Sequence, residues 1–574
     1  MHLFKKYTLG ACIIIILLNC CKPFSKREKI EPDFSWDNAT VYFLFTDRFC
    51  NGNSSNDSYY GRRNDYGNDT LNAATFHGGD IAGIIQKLEE GYFTDLGVNA
   101  IWLTGVYEQI HGWVGGGEKN DFPHYSYHGY YPQDLTCIDK NFGTIEEFRT
   151  FVNLAHSKGI RVVMDAGLNH AGYATLLDAV KFDFGGVNLS PEEAVDFIPG
   201  QDYQNKFAYN DASSWENWWG SDWIRSQKTE SMNVLTESIE GLPDFKTESS
   251  EQVKIPMFLQ NKWKNDSNQL WSVPAALNYR ISLDLAPAEY LIQWLASWVR
   301  EFGIDGFRCD VVENVELFRW RELNDACNNA LQEWRGNNPE LPGSTWESAF
   351  WMTGDIWDSS IQYRPKYASS GFNSIVNFTF PKDGNLKTIG ETWQCYADSL
   401  NSRDDWNTLS FLNNTYKRDV DISNMMNCGT ALLLSPGAIQ IYYGDEVARK
   451  KGAGQYLSDS IQGYRSDYPW DRQDLKVLKH WQILGRFRNR HLAVGAGIQK
   501  RLGEGVFARI YERGKQKDGV VIAFPECRES FIQVGDVFEE RSEVINAYTG
   551  EISTVNNHQV HLVIGSKVAL LEAY

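Results

Sequence analysis

The sequence predicts an α/β fold: a (β/α)8 TIM barrel with a B domain inserted after strand 3 and a C-terminal antiparallel β domain. Three observations carry this. Short β-branched and aromatic runs recur eight times, helix-period segments precede several of them, and two long stretches break the alternation. In chain order the runs are VYFLFTDRF (41–49), VNAIWLTGV (98–106), IRVVMDAGLNH (160–170), IDGFRCDVV (304–312), AFWMTGDIW (349–357), FNSIVNF (372–378), TLSFLNN (408–414) and AIQIYYGDE (438–446). IIQKLEEGYFTDLG precedes the second, TIEEFRTFVNLAHSKG the third and YLIQWLASWVREFG the fourth, each ending in a glycine that suits a helix stop. Residues 171–275 are long and irregular, as an inserted subdomain would be. From about 490 onward, runs such as GVVIAFPE and VHLVIGSKVALLEAY alternate with period two and read as antiparallel strands. The chain therefore divides into a leader (1–20), a linker (21–36), a first barrel part (37–170), the insertion (171–275), a second barrel part (276–489) and a β domain (490–574).

Composition narrows the function classes. A formal net charge of −19 over 574 residues argues against nucleic acid, whose phosphates need a basic surface. The 20 Trp and 28 Tyr serve either a large core or flat surfaces that stack on sugar rings. The first residues, with Lys5 and Lys6, an apolar run to Leu18 and then LLNC, fit a secretory leader of the lipoprotein type. Cys20 is the expected lipidation site and Cys21 the other candidate. This predicts an exported protein of the bacterial cell envelope, tied to membrane through a lipid anchor only. The 10 cysteines include no C-x-x-C pair, so neither a zinc site nor a disulfide framework is indicated.

Chemistry in such a barrel gathers at the C-terminal ends of the strands. MDAGLNH, FRCD, TGDIW and LNNTY fall there, after the third, fourth, fifth and seventh runs. Arg308 and Asp310 stand two apart, on one side of an extended chain, so the guanidinium is placed to orient the carboxylate. Alone, that pair equally suits a structural ion pair at a barrel rim.

The stretches YHGYYPQDLT, GIRVVMDAGLNHAGYATL, GFRCDVVENVEL, FWMTGDIWDSS, GFNSIVNF, LLLSPGAIQIYYGDE and QGYRSD, in this order, resemble the α-amylase family, glycoside hydrolase family 13. The nearest likeness is to periplasmic α-amylases of Gram-negative bacteria. The resemblance implies a retaining attack on α-1,4-glucans by three carboxylates. It assigns the nucleophile to Asp310 and its arginine to Arg308. Asp165, His170, His128 and Tyr130 match sugar-contacting positions. The acid position holds Asp355 where the family has Glu, and Thr415 and Tyr416 replace its His-Asp. Glu313 and Asn314 stand where Lys-His is usual.

Asp is one methylene shorter than Glu, and a displacement of about 1 Å costs roughly a hundredfold. Tyr416 offers no negative charge near neutral pH. The expectation is binding of starch or maltooligosaccharide with severely impaired hydrolysis. The alternatives are an active retaining hydrolase, with Asp355 as acid and a displaced carboxylate among Glu347, Asp358, Asp404, Asp405 and Asp419, or a non-catalytic interaction protein. Calcium, as one or two structural ions, is expected at NGNSSND (51–57) and HGGD (77–80), an oxygen-rich pair of turns. The resemblance assigns the ligands to Asn51, Asn53, Asn56, Asp57, Gly78 and Asp80. Asn169 and Asp244 match a second site, with the carbonyl of Asn314. The stretch SSWENWWGSDWIR (213–225) suits either the core of the insertion or a glucan platform.

Overall fold

Eight apolar runs, each too short to be a helix of useful length, find parallel partners on both sides and close on themselves. They are β1 (Thr40–Leu44), β2 (Ala100–Leu103), β3 (Arg161–Ala166), β4 (Gly306–Cys309), β5 (Trp351–Gly354), β6 (Ser374–Asn377), β7 (Asn407–Phe411) and β8 (Ala438–Tyr442). Each pairs in parallel with its sequence neighbours, and β8 pairs with β1. The computed structural model describes residues 34–574, apart from 66–72, 119, 121, 196–202, 226–232, 266–268, 401–402, 404, 418–419, 453, 455–458, 525–530 and 563–567. The leader and the Cys20 lipidation site lie outside the described residues. No helix among the described residues is long and apolar enough to cross a membrane.

Every residue of the eight strands is buried, which is why the runs read as continuously apolar rather than alternating. Outer helices include α1 (Ile81–Glu89), α2 (Ile145–Ser157), α3 (Pro287–Phe302) and α4 (Leu475–Arg490). Thr144 and Glu147 form a capping box at the start of α2. Gly303, at φ 73°, ends α3 in the left-handed region. IIQKLEEGYFTDLG makes two helical pieces rather than one. Gly91, at φ 81°, breaks it before the short turn Tyr92–Asp95.

Two excursions leave the barrel's C-terminal face. The one after β2 was not apparent in the sequence: Trp113–Gly116 pairs with Phe122–Tyr125, and Tyr107–Gln109 with Pro132–Ile138. The one after β3 holds the short helices Leu176–Phe182 and Met257–Asn265 and the strand pair Ile224–Arg225 with Asp244–Phe245. Within it Trp218, Trp219 and Trp223 are buried, so the tryptophan-dense stretch serves mainly as core. After α4 comes a six-stranded sheet, with strands Val506–Arg513 and Gln516–Ala523 paired along their full length. Its period-two pattern divides the side chains: Val520 and Ile522 join the barrel's core, while Val521 and Ala523 join a separate one.

Candidate active site

Arg308 is held by the β4 register, which sets it opposite Asp165 on β3 and Thr353 on β5. The ladder continues one residue past the strands: the Asp310 N–H donates to the Ala166 carbonyl (2.9 Å) and the Asp355 N–H to the Cys309 carbonyl (3.0 Å). Three carboxylates thereby ring one guanidinium. Arg308 Nη1 lies 3.0 Å from Asp165 Oδ1 and 2.7 Å from Asp310 Oδ1, and Nη2 contacts Asp355 Oδ2. All four side chains are largely buried. Val311, directly after Asp310, sits at φ 51°, a conformation that costs a β-branched residue about 1–3 kcal/mol and recurs at functional sites.

Burial raises the Asp165 carboxyl to about 7, against the pull of Arg308 and with a further push from Asp310. Burial raises Asp355 too, opposed by Arg308 and reinforced by Asp310. One oxygen of Asp355 is engaged by Arg308, and the other, Oδ1, is buried with no hydrogen-bond partner.

The strand-seven position brings Tyr416 and not a carboxylate. Its phenol is raised by burial and by Asp310, so it is neutral. It packs against exposed Trp357, with ring centres 5.4 Å apart. Thr415 is buried beside it. Glu313 is exposed and accepts a hydrogen bond from Tyr367 (3.0 Å), so it does not join the Arg308 cluster. Asn314 Nδ2 donates to the Val234 carbonyl at 2.7 Å.

Of the substitute carboxylates, Glu347 and Asp405 precede β5 and β7 and so lie toward the opposite end of the barrel, both exposed. Asp358 follows β5, exposed and at φ 57°. Asp404 and Asp419 lie outside the described residues.

The positions expected to contact sugar converge. The Tyr130 N–H donates to His128 Nδ1 (3.0 Å), their rings stack at 5.5 Å, and His170 Nε2 meets the Tyr130 carbonyl (3.2 Å). Sequence reasoning gave no role to Arg465, within QGYRSD, or to Trp357. A lone arginine in a connection gives no sign of being buried without a partner.

The two expected metal sets differ. Around the first, Asp80, expected as a ligand, has both oxygens occupied. Oδ1 accepts from Gly52 N and Gly83 N, and Oδ2 from Asn53 N and Asn56 Nδ2, at 2.8–3.0 Å. Those donors fill the sites a carboxylate offers, so Asp80 acts as the N-cap of α1 and the clamp of the loop. Asn53 Oδ1 likewise accepts from Ser55. Asn51, Asp57 and Gly78 crowd together: a Cβ on Gly78 would lie 2.4 Å from Asn51 Nδ2 and 2.6 Å from Asp57 Oδ1. Asn56 Oδ1 is buried without a partner, and burial raises the Asp57 carboxyl.

The second set also meets, but around a nitrogen. Asn169 Nδ2 lies 3.0 Å from Asp244 Oδ1 and 3.4 Å from the Asn314 carbonyl. Arg225 pairs with the other Asp244 oxygen at 2.6 Å. Burial raises Asp244 to about 6 despite that arginine.

Comparison with known proteins places this geometry. The family model of the α-amylase catalytic domain matches residues 43–271. The periplasmic α-amylase of Escherichia coli (strain K12) is 40% identical over 504 residues, which cover 83% of this chain and 71% of that protein. A cyclomaltodextrinase from a Bacillus species is 26% identical, over 84% of this chain and 71% of its own. Among solved structures, an Anoxybacillus α-amylase superposes with a TM-score of 0.59 at 20% identity, covering 94% of this chain and 99% of that one. AmyP in complex with maltose superposes with a TM-score of 0.55 at 15% identity, covering 93% and 96%. A barrel closed in sequence order, an arginine and aspartate at the end of its fourth strand, and this identity across most of both chains assign the protein to the α-amylase family, glycoside hydrolase family 13.

Proposed function

We propose that this chain binds α-1,4-glucans or maltooligosaccharides across the mouth of its barrel and hydrolyses them far more slowly than an intact acid and stabiliser would allow. The observation that carries this is the setting of Asp355. Arg308 holds one of its oxygens, and the other is buried with no partner. A general acid must present a proton to the leaving oxygen, and general acid–base assistance is worth about 10²–10⁴-fold. Tyr416 adds no negative charge opposite a developing oxocarbenium ion. Binding draws support from the convergent His128, Tyr130 and His170, and from the solved neighbour holding maltose.

An active retaining hydrolase is the second reading. It is favoured by the raised Asp355 carboxyl, the direction a general acid requires, and by the 40% identity to an α-amylase. The two separate on one assay. Purified protein with calcium and maltoheptaose is followed by mass spectrometry, beside Asp310→Asn and the Escherichia coli relative. The expected result is turnover at least about 100-fold below that relative. Rates within about tenfold of it, abolished by Asp310→Asn, would establish the hydrolase instead.

One structural calcium accompanies this reading, held by Asn51, Asn56, Asp57 and the Gly78 carbonyl. Asn56 Oδ1 is buried without a partner, and the Asn51 amide, whose Nδ2 donates to Asp57 Oδ1 at 2.9 Å, would turn its oxygen toward a hard cation there. The ion would brace the loop after β1, and retaining glycoside hydrolysis needs no metal. The set at Asn169 and Asp244 does not fit a second ion, because the Arg225 guanidinium already meets the Asp244 carboxylate and supplies the positive charge. Export to the cell envelope through a lipidated Cys20 belongs to the same proposal, supported by the leader sequence and by the periplasmic relative.

A further inference from the structure

Arg465 ends the short segment Ser460–Arg465 in the connection after β8. It is 7% exposed. Its guanidinium carbon lies 5.8 Å from the ring centre of Tyr416 and 5.7 Å from that of Phe45, which follows β1. The charge therefore sits in the barrel mouth, beside the position that carries tyrosine in place of a carboxylate. Among the described residues it makes no hydrogen bond or ion pair, and its Nε is buried without an acceptor.

The other buried arginines are engaged. Arg62 pairs with Asp139, Arg308 with its three carboxylates, Arg449 with Ser466, Arg488 with the Leu433 and Ser435 carbonyls, and Arg509 with those of Val494 and Leu434. A guanidinium largely withdrawn from water and given no protein acceptor bears a desolvation penalty, which aromatic faces offset only in part, while its Nη1 and Nη2, unlike Nε, are not sealed off.

Two imidazoles nearby have unpartnered ring nitrogens. His128 takes the Tyr130 N–H on Nδ1, which puts its own proton on Nε2, and that atom is buried and unpartnered. His124, its ring centre 5.2 Å from that of His128, also has a buried and unpartnered Nε2. Burial, with the field of Arg465 behind it, lowers both imidazoles (His124 to about 4), so both are neutral. A corner with an unpaired guanidinium and the His128 Nε2–H suits a negatively charged acceptor. Arg308 cannot take that role, its charge being met by Asp165, Asp310 and Asp355.

We propose that this corner recognises an anionic group on the carbohydrate, a uronate carboxylate or a phosphate ester, with Arg465 as its charged contact and His128 Nε2–H beside it. The proposal rests on the glucan-binding reading above and names the class of sugar that reading leaves open.

The test is calorimetric titration of the full-length chain with three probes: maltotriose, maltotriose carrying a terminal glucuronate, and maltotriose 6-phosphate. At least one charged probe is expected to bind about tenfold or more tightly than the neutral sugar, and whichever does identifies the group. Arg465→Gln should erase that preference while leaving maltotriose affinity within about twofold. Arg465→Lys, which keeps the charge, should retain part of it. Equal affinity for all three probes in the unaltered protein overturns the anion assignment and leaves glucan binding standing. Failure of all three to bind overturns both.

Discussion

Among the described residues Arg308 is the one positive charge that meets all three carboxylates, and its hold on Asp355 bears most directly on the proposed chemistry. Its hydrogen bond favours ionised Asp355, while burial and Asp310 favour the neutral acid. A glutamate in that place reaches one methylene farther into the cleft, and an aspartate at 416 restores the missing charge. Asp355→Glu combined with Tyr416→Asp is therefore expected to raise maltoheptaose turnover at least about 100-fold over the unaltered protein. Each single change should give less than about a tenth of that, because acid and stabiliser act on one transition state. A double variant no faster than the parent, with unchanged maltotriose binding, would mean that the backbone after β5 or β7 and not the side chains limits catalysis. At this scale the sequence was informative about residue types: Arg308, Asp310, Asp165, His170, His128 and Tyr130 all reach one mouth. It was silent about pairing. Nothing in TGDIW says that Asp355 turns to Arg308, and nothing in QGYRSD says that Arg465 has no partner, since both facts depend on contacts between segments far apart in the chain.

The helix α1 and the loop before it form one unit built on Asp80. Its two oxygens accept four N–H groups, three from the backbone of the loop and helix and one from Asn56, so removing it orphans donors as well as a cap. Asp80→Ala is expected to cost about 2–4 kcal/mol in urea unfolding, with or without calcium. Calcium at about a hundredfold excess over its dissociation constant adds about 2.7 kcal/mol, an upward shift in Tm that a chelator reverses. Asp57→Asn should abolish that shift and leave the calcium-free Tm close to the parent's. A Tm indifferent to calcium in the parent would remove the ion from the proposal. The loop was legible as an oxygen-rich turn because Asn, Asp and Gly cluster there. Its division of labour was not, because a carboxylate that caps and one that ligates look alike in sequence. The eight strands were legible for a different reason: burial on both faces leaves a continuous apolar run. The hairpins after β2 were missed because their Tyr-, Gly- and His-rich strands carry neither that run nor a clean period of two.

Across the whole molecule, the junction of barrel and terminal sheet turns on His491, which directly follows α4. Its Nδ1 lies 2.8 Å from Asp518, and its Nε2 contacts Glu572, both on strands of the six-stranded sheet. Arg490 adds two contacts of 2.9 Å to Glu572. Burial alone would lower the imidazole, but the Asp518 and Glu572 carboxylates outweigh it and the net shift is upward. Burial alone would raise Glu572, and His491 with Arg490 turns that shift downward. The signs follow by linkage. A raised histidine contributes stability fully present below its unfolded value, about 6.5, and lost as pH rises through its folded value. A lowered glutamate contributes stability present above about 4.5 and lost as pH falls through its folded value. The junction is thus strongest between about pH 4.5 and 6.5, and weakens on both sides. Urea unfolding of the parent should lose stability as pH rises from 6 to 8. His491→Gln, which keeps hydrogen-bonding atoms and cannot titrate, should flatten that part of the profile and start lower at pH 6. Protection of Val520–Ala523 amides from hydrogen exchange should follow the same course in the parent, because those residues lie on the strand that Asp518 begins to anchor. A parent whose stability and strand protection stay level from pH 6 to 8 would show that the sheet is held by its apolar contacts, Phe507, Ile522 and Phe524 among them, without help from the histidine.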